Sequence, residues 1–240
     1  MNKLWLLGIV LSLLGSITIL GTVNNLSIAQ SVNTSSAHVD TSNKVSTSDQ
    51  LVKKVRSSWP WYTARASGLV AAGSLILLMI SGIGMITGKT FSFFEPITAW
   101  ATHRALGISF GISVIVHVVV LYFDRFVPFN ITNLLVPFTS NYKPISVFGI
   151  PLGSFYVATG VISLYIVAAV IITSLIWVHK KPWLWKVTHL LSYLAMLLVF
   201  VHGLYLGTDL AHGILRWAWI ALGVSILIMS FMRLRRANTV

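Results

Sequence analysis

The sequence predicts an all-α, polytopic membrane bundle of five core spans, preceded by an N-terminal signal peptide or signal-anchor helix. Three observations carry that expectation. Of 240 residues, 56% are hydrophobic and 9% charged, against about 25% charged in soluble domains. Apolar runs of the ~20 residues needed to cross a hydrocarbon core recur along most of the chain. No run shows the two-residue alternation of a membrane β-barrel. Soluble Rossmann, barrel and sandwich folds are therefore excluded.

The first run, Leu4 to Leu20, comes after Lys3 and leads to Ser27-Ile28-Ala29, small residues where a signal peptidase reads. Cleavage after Ala29 and retention as an anchor would both export residue 30 onward. Residues 30–58 are rich in Ser, Thr, Asn, Val and Lys without apolar periodicity, and read as a disordered exported tether. Five spans are then expected within 59–236: Ser67 to Thr87, Ala99 to Phe123, Phe155 to Val178, Leu184 to Leu206, and Ile214 to Met232. Residues 237–240 are a short tail. Trp59, Trp61, Trp100, Trp177, Trp183 and Trp217 sit near span ends, where amphipathic rings favour the headgroup layer.

A net charge of +12, from 17 Lys+Arg against 5 Asp+Glu, is spread in small groups beside apolar runs. That distribution belongs to membrane flanks, and no basic face of a folded domain suggests nucleic acid. Discounting the long exported segment leaves nine basic residues on one side: Lys3, Lys89, Arg104, Lys180, Lys181, Lys186, Arg233, Arg235 and Arg236. Arg65, Arg125, Lys143 and Arg216 lie on the other. The excess places the C-terminus in the cytoplasm, with a bacterial plasma membrane as the expected location.

Cysteine is absent, which excludes disulfides, thiolate zinc sites, Cys-ligated clusters and haem attached through Cys-x-x-Cys-His. Histidine is left as the main soft ligand. His38, His179 and His212 fall in the tether or at span ends, whereas His103, His117, His189 and His202 lie within spans. Ionisable groups inside a membrane are costly and mark ion paths, proton relays or cofactors.

The second and fourth core spans each carry two of them, fourteen and thirteen residues apart. One helix intervenes, so these spans run parallel. At about 1.5 Å per residue each pair is separated by roughly 20 Å along its axis, most of the depth of a ~30 Å core. One layer of two imidazoles near each surface supplies axial ligands for two bis-histidine haems. Gly107, Ser109, Gly111 and Ser113 leave room for a flat ring. On an ideal helix fourteen residues bring His117 within roughly 40° of His103, while thirteen leave His202 about 140° from His189. Spacing alone therefore leaves the second pair splayed.

Residues 59 to 235 resemble the ferric reductase-like transmembrane domain, the haem b module shared by ferric reductases, NADPH oxidases and the haem subunit of a bacterial methionine sulfoxide reductase. The resemblance rests on the histidine spacing, the shorter second interval included, and on Trp61-Tyr62-Thr63-Ala64-Arg65-Ala66-Ser67-Gly68. Leu135-Val136-Pro137-Phe138, Tyr142-Lys143-Pro144 and Gly207-Thr208-Asp209 also resemble bacterial members, and read as loop and helix-end structure. The resemblance implies that His103 and His189 hold an inner haem b, His117 and His202 an outer one, and that Arg65 meets a haem propionate. Larger members continue into a flavin and nicotinamide reductase, and no Gly-rich strand-turn-helix segment of that kind is present here. The expectation is an oxidoreductase component that takes electrons from a separate reductase, flavin or quinol and passes them to an outer acceptor. The competing readings are a histidine-lined proton or divalent-metal transporter, and a structural membrane subunit without haem.

Overall fold

The computed structural model describes residues 41–92, 94–143, 146–147 and 150–237; the expected leader and the first part of the tether, with His38, lie outside them. Helix α1 is Thr41–Ile86, α2 Pro96–Tyr122, α3 a short helix Ile131–Leu135, α4 Gly153–Ile176, α5 Pro182–Leu206 and α6 Ile214–Ala237. Five segments are long and apolar enough to cross a membrane: Ser58–Ile86, Pro96–Tyr122, Gly153–Ile176, Pro182–Leu206 and Ile214–Arg233. Each matches an expected span to within a few residues, except that α1 starts much earlier. The chain is a multi-pass α-helical integral membrane protein.

Two helix starts are set by proline. Pro96 and Pro182 occupy the first turns of α2 and α5, where the missing N–H costs nothing and the fixed φ suits the helix. Helix α1 begins within the segment expected as a tether: residues 41–58 are helical in backbone and continuous with the first span. Lys, Gln, Leu and Val there tolerate helix, and joining an existing helix avoids the cost of nucleating a new one. Pro60 lies inside α1 and has no N–H to donate. Within the spans, Ser67, Ser113 and Thr173 return their hydroxyls to carbonyls four residues back, satisfying polar groups without water.

Helix α1 ends at Ile86 through Gly88, whose φ of 76° is a left-handed conformation open to glycine. The chain then makes a 3-10 turn at Lys89–Ser92 and returns as α2. The loop between α2 and α4 is tied down by Tyr165 Oη, which donates to the Leu135 carbonyl at 2.7 Å. Asn130 caps α3 by accepting from the Asn133 N–H at 2.8 Å, and a minimal antiparallel ladder pairs Ser146 with Pro151 and Val147 with Ile150.

The bundle is two hairpins and a closing helix. Helix α1 packs along α2, and α4 along α5, while α2 and α5 make scarcely any backbone contact. Helix α6 is fixed to α5 by Trp219, which stacks on Phe200 with centroids 5.6 Å apart and donates Nε1–H to the Phe200 carbonyl at 3.2 Å. Gly223 receives the Phe200 ring. Leu75 and Met79 of α1, Phe110 of α2, Val167 of α4, Met196 of α5 and Ile226 of α6 form the shared core. The two histidine-bearing spans are the least buried of the candidate membrane segments.

Candidate functional site: two layers of paired histidines

All four intramembrane histidines lie between the hairpins. In one layer the rings of His103 and His189 face each other with centroids 6.3 Å apart and planes inclined by 50°. In the other, His117 and His202 lie within electrostatic reach of each other. The parallel course of α2 and α5 and the assignment of near ends to near ends are as the spacing predicts. His179 and His212 lie at helix ends, outside both layers.

Each histidine is oriented by the helix next to its own. His117 Nδ1 is 2.8 Å from the Ala64 carbonyl of α1, and His202 Nδ1 is 2.9 Å from the Tyr156 carbonyl of α4. A carbonyl only accepts, so both Nδ1 atoms carry the proton, and the neutral imidazole keeps its lone pair on Nε2. His103 Nδ1 lies 2.8 Å from Ser81 Oγ. That hydroxyl gives its single hydrogen to the Leu78 carbonyl, so it accepts from His103 and leaves Nε2 of this ring free in the same way. His189 Nδ1 is 3.3 Å from Ser174 Oγ, which accepts from Trp185 Nε1 at 3.2 Å; the direction of the His189 contact follows the tautomer of its ring.

The last contact is the longest of the four, and it belongs to the thirteen-residue pair. Helix α5 runs unbroken from Pro182 to Leu206, and from it both His189 and His202 reach partners on α4. On α4 the two partners, Tyr156 and Ser174, are eighteen residues apart, five full turns of about 3.6 residues, and therefore share one face.

Glycines let these rings approach. A Cβ at Gly160 would meet His202 Cε1 and Nδ1 at 2.5 Å, and one at Gly68 would meet His117 Nδ1 at 3.2 Å; at Gly82 the nearest atom is His103 Cε1 at 3.4 Å. The two hairpins prove to be equivalent. Ala66-Ser67-Gly68 on α1 matches Ala158-Thr159-Gly160 on α4, and the carbonyl that holds a histidine lies two residues before each triplet. Thr102-His103 and Val116-His117 on α2 match Thr188-His189 and Val201-His202 on α5. The histidine spacing does not single out Ala64, Tyr156, Ser81, Ser174 or Gly160, and this repeat is the sequence signal that points to the carbonyls and to Gly160.

Arg65, which the resemblance assigns to a propionate, makes an ion pair within the chain. Its Nε donates to Asp209 Oδ2 at 2.9 Å, and Nη2 pairs with Oδ1. The guanidinium also lies 4.1 Å from the Trp61 ring centroid. This bidentate grip ties α1 to the 3-10 turn Thr208–Leu210 after α5, so Asp209 has a specific partner beyond its helix-end position.

Fold and site together define a multi-pass helical membrane protein with two transverse layers of paired, oriented imidazoles. No protein-family model, curated protein or solved structure matches the chain.

Proposed function

We propose that the chain is a di-haem b transmembrane electron-transfer protein of the ferric reductase-like kind, an oxidoreductase component working with a separate donor and acceptor. His103 with His189 would hold one haem and His117 with His202 the other. The observation that carries the reading is the fixed tautomer: Nδ1 of His117 and His202 is committed to a backbone carbonyl, which leaves Nε2 as an oriented ligand. Metal-ligating histidines are held in this way by a partner on the other ring nitrogen.

Fit at the other layer rests on distance. Two metal–nitrogen bonds of about 2 Å, with the span from each nitrogen to its ring centre, come to about 6 Å, close to the 6.3 Å between His103 and His189. Among the described residues no group of three or more His, Cys, Asp or Glu converges to hold a metal ion. A bare ion draws about four ligands from protein; two per layer suit iron whose remaining positions are filled by a macrocycle. That contrast favours haem over a metal-transport path.

Haem b, when bound, supplies one-electron exchange between ferric and ferrous iron. The chain's own part would be to hold the imidazoles and set the two layers near opposite ends of the spans. A haem held by two histidines of one layer would be suited to electron exchange more than to binding substrate at iron. The basic excess near Lys180, Lys181, Lys186 and the α6 end favours a cytoplasmic C-terminus. On this topology the His103 and His189 layer would lie on the side of a donor reductase, flavin or quinol, and the His117 and His202 layer on the side of the acceptor.

The test is a reduced-minus-oxidised absorbance spectrum of purified protein with haem extracted and counted per chain. Two b haems are expected. A well-folded, haem-free protein from haem-replete cells would refute the proposal in favour of a transporter or structural subunit.

A further inference from the structure

A cavity of about 540 Å³ opens between α1, α2 and α6 at the end of the spans that carries His103 and His189. Its walls are apolar, with Leu77, Ile80, Met229 and Met232 all exposed on the outer faces of their helices. Its mouth holds two cations. Lys89 is placed there because Gly88 turns the chain back under α1, and Arg233 because it occupies the end of the α6 span. The apolar outer faces fit acyl chains, and the cations lie at the depth where span ends meet headgroups.

Among the described residues neither cation is neutralised: the ion pair is Arg65 with Asp209, and no described carboxylate lies within 4.0 Å of Lys89 or Arg233. Arg233 is instead held by Tyr193: Nη1 donates to Tyr193 Oη at 2.6 Å, with the guanidinium 5.5 Å from the ring centroid. Five N–H groups radiate from a guanidinium, so this contact fixes its position without consuming its capacity to bind an anion. The site therefore has a tail-sized apolar trough and a positive head end, which is the complement of an anionic phospholipid.

We propose that this groove is a specific site for one anionic phospholipid of the leaflet on the His103 and His189 side. The phosphate lies between Lys89 and Arg233, and an acyl chain runs along Leu77, Ile80 and Met229. Ser81, whose hydroxyl accepts from His103, lines the same groove. The bound lipid thus closes the nearer histidine layer against water and links it to membrane charge. The inference does not depend on the haem reading.

The full-length protein is reconstituted in nanodiscs with equal phosphatidylglycerol and phosphatidylcholine, then released into detergent, and its retained lipids are identified by native mass spectrometry. Retention of phosphatidylglycerol over phosphatidylcholine is expected, reduced about fivefold by Lys89→Gln and again by Arg233→Gln. Met229→Trp, which fills the trough, should lower retention of either lipid. Lipid retained in the ratio supplied, retention untouched by Lys89→Gln, or a co-purifying quinone in place of lipid would overturn the proposal. The Lys89 ammonium has no carboxylate partner among the described residues, so its variant remains informative if Arg233→Gln disturbs packing through Tyr193. Haem counted in the same samples separates failure of this inference from failure of the electron-transfer reading.

Discussion

Arg65 and Asp209 clasp each other across 144 positions of sequence, guanidinium fork to carboxylate, and so lock the Trp61 end of the first span to the turn leaving α5. Both are partly exposed, at 32% and 19%, which limits the value of the pair through solvent screening. A double-mutant cycle of Arg65→Gln and Asp209→Asn, monitored by thermal unfolding in detergent, should give a coupling on the order of 1 kcal/mol. If Arg65 served a propionate instead, Arg65→Gln alone would loosen haem and Asp209→Asn would not.

Histidine replacement should act by layer. His117→Leu or His202→Leu is expected to remove one haem per chain and leave the other, and the double variant should be no worse than either single. His103→Leu and His189→Leu should remove the complementary haem. Haem counting with spectra of each variant checks this. Loss of one haem by pairing across layers, as in a His103→Leu, His117→Leu equivalence, would break the assignment.

Glycine-to-alanine changes offer a graded ruler because only the added methyl differs. Gly160→Ala forces the His202 ring to move from a 2.5 Å contact, Gly68→Ala asks His117 to yield by a few tenths of an ångström, and Gly73→Ala meets nothing within 4 Å. Haem occupancy of the His117 and His202 layer should fall most for Gly160→Ala and less for Gly68→Ala. Gly73→Ala should keep full occupancy and gain up to about 1 kcal/mol of helix stability. Equal effects at Gly160 and Gly73 would mean that ring approach is not what glycine provides.

On the electron-transfer reading, Ser81 would act on His103 from outside the metal bond. Ser81→Ala removes the acceptor of the Nδ1 proton and is expected to weaken haem retention at the His103 layer by about 10- to 100-fold, with the other layer unchanged. Ser81→Thr, which keeps the hydroxyl, should restore most of it. Haem dissociation and capture by an acceptor apoprotein, resolved by layer through the His117→Leu background, reads the effect.

The spans are legible in the sequence because twenty apolar residues have one viable structure in lipid. Four intramembrane histidines are legible because such residues need a reason to be there. Less legible are partners defined by backbone atoms and by absent side chains. The Ala64 and Tyr156 carbonyls and Gly160 are marked in the sequence only by the repeat of Ala66-Ser67-Gly68 in Ala158-Thr159-Gly160, whose meaning shows once His117 and His202 are seen beside them. The splay expected for His189 and His202 comes from an ideal straight helix, whereas both rings reach partners on α4 from α5. Asp209 reads only as helix-end structure because its partner lies on another helix, 144 residues away. The early start of α1 reflects continuation from a strong span, which the composition of residues 30–58 by itself does not reveal.

Helices α2 and α5 scarcely touch, and although the two matched hairpins share a core, His103 and His189 approach each other across the space between these two helices. On the electron-transfer reading, the bundle's interior is completed only by what those imidazoles hold. Assembly of the protein and delivery of its prosthetic group then become a single event in biosynthesis. Chains made faster than haem is supplied would carry an unfinished seam, and those are the copies that membrane quality-control proteases would select.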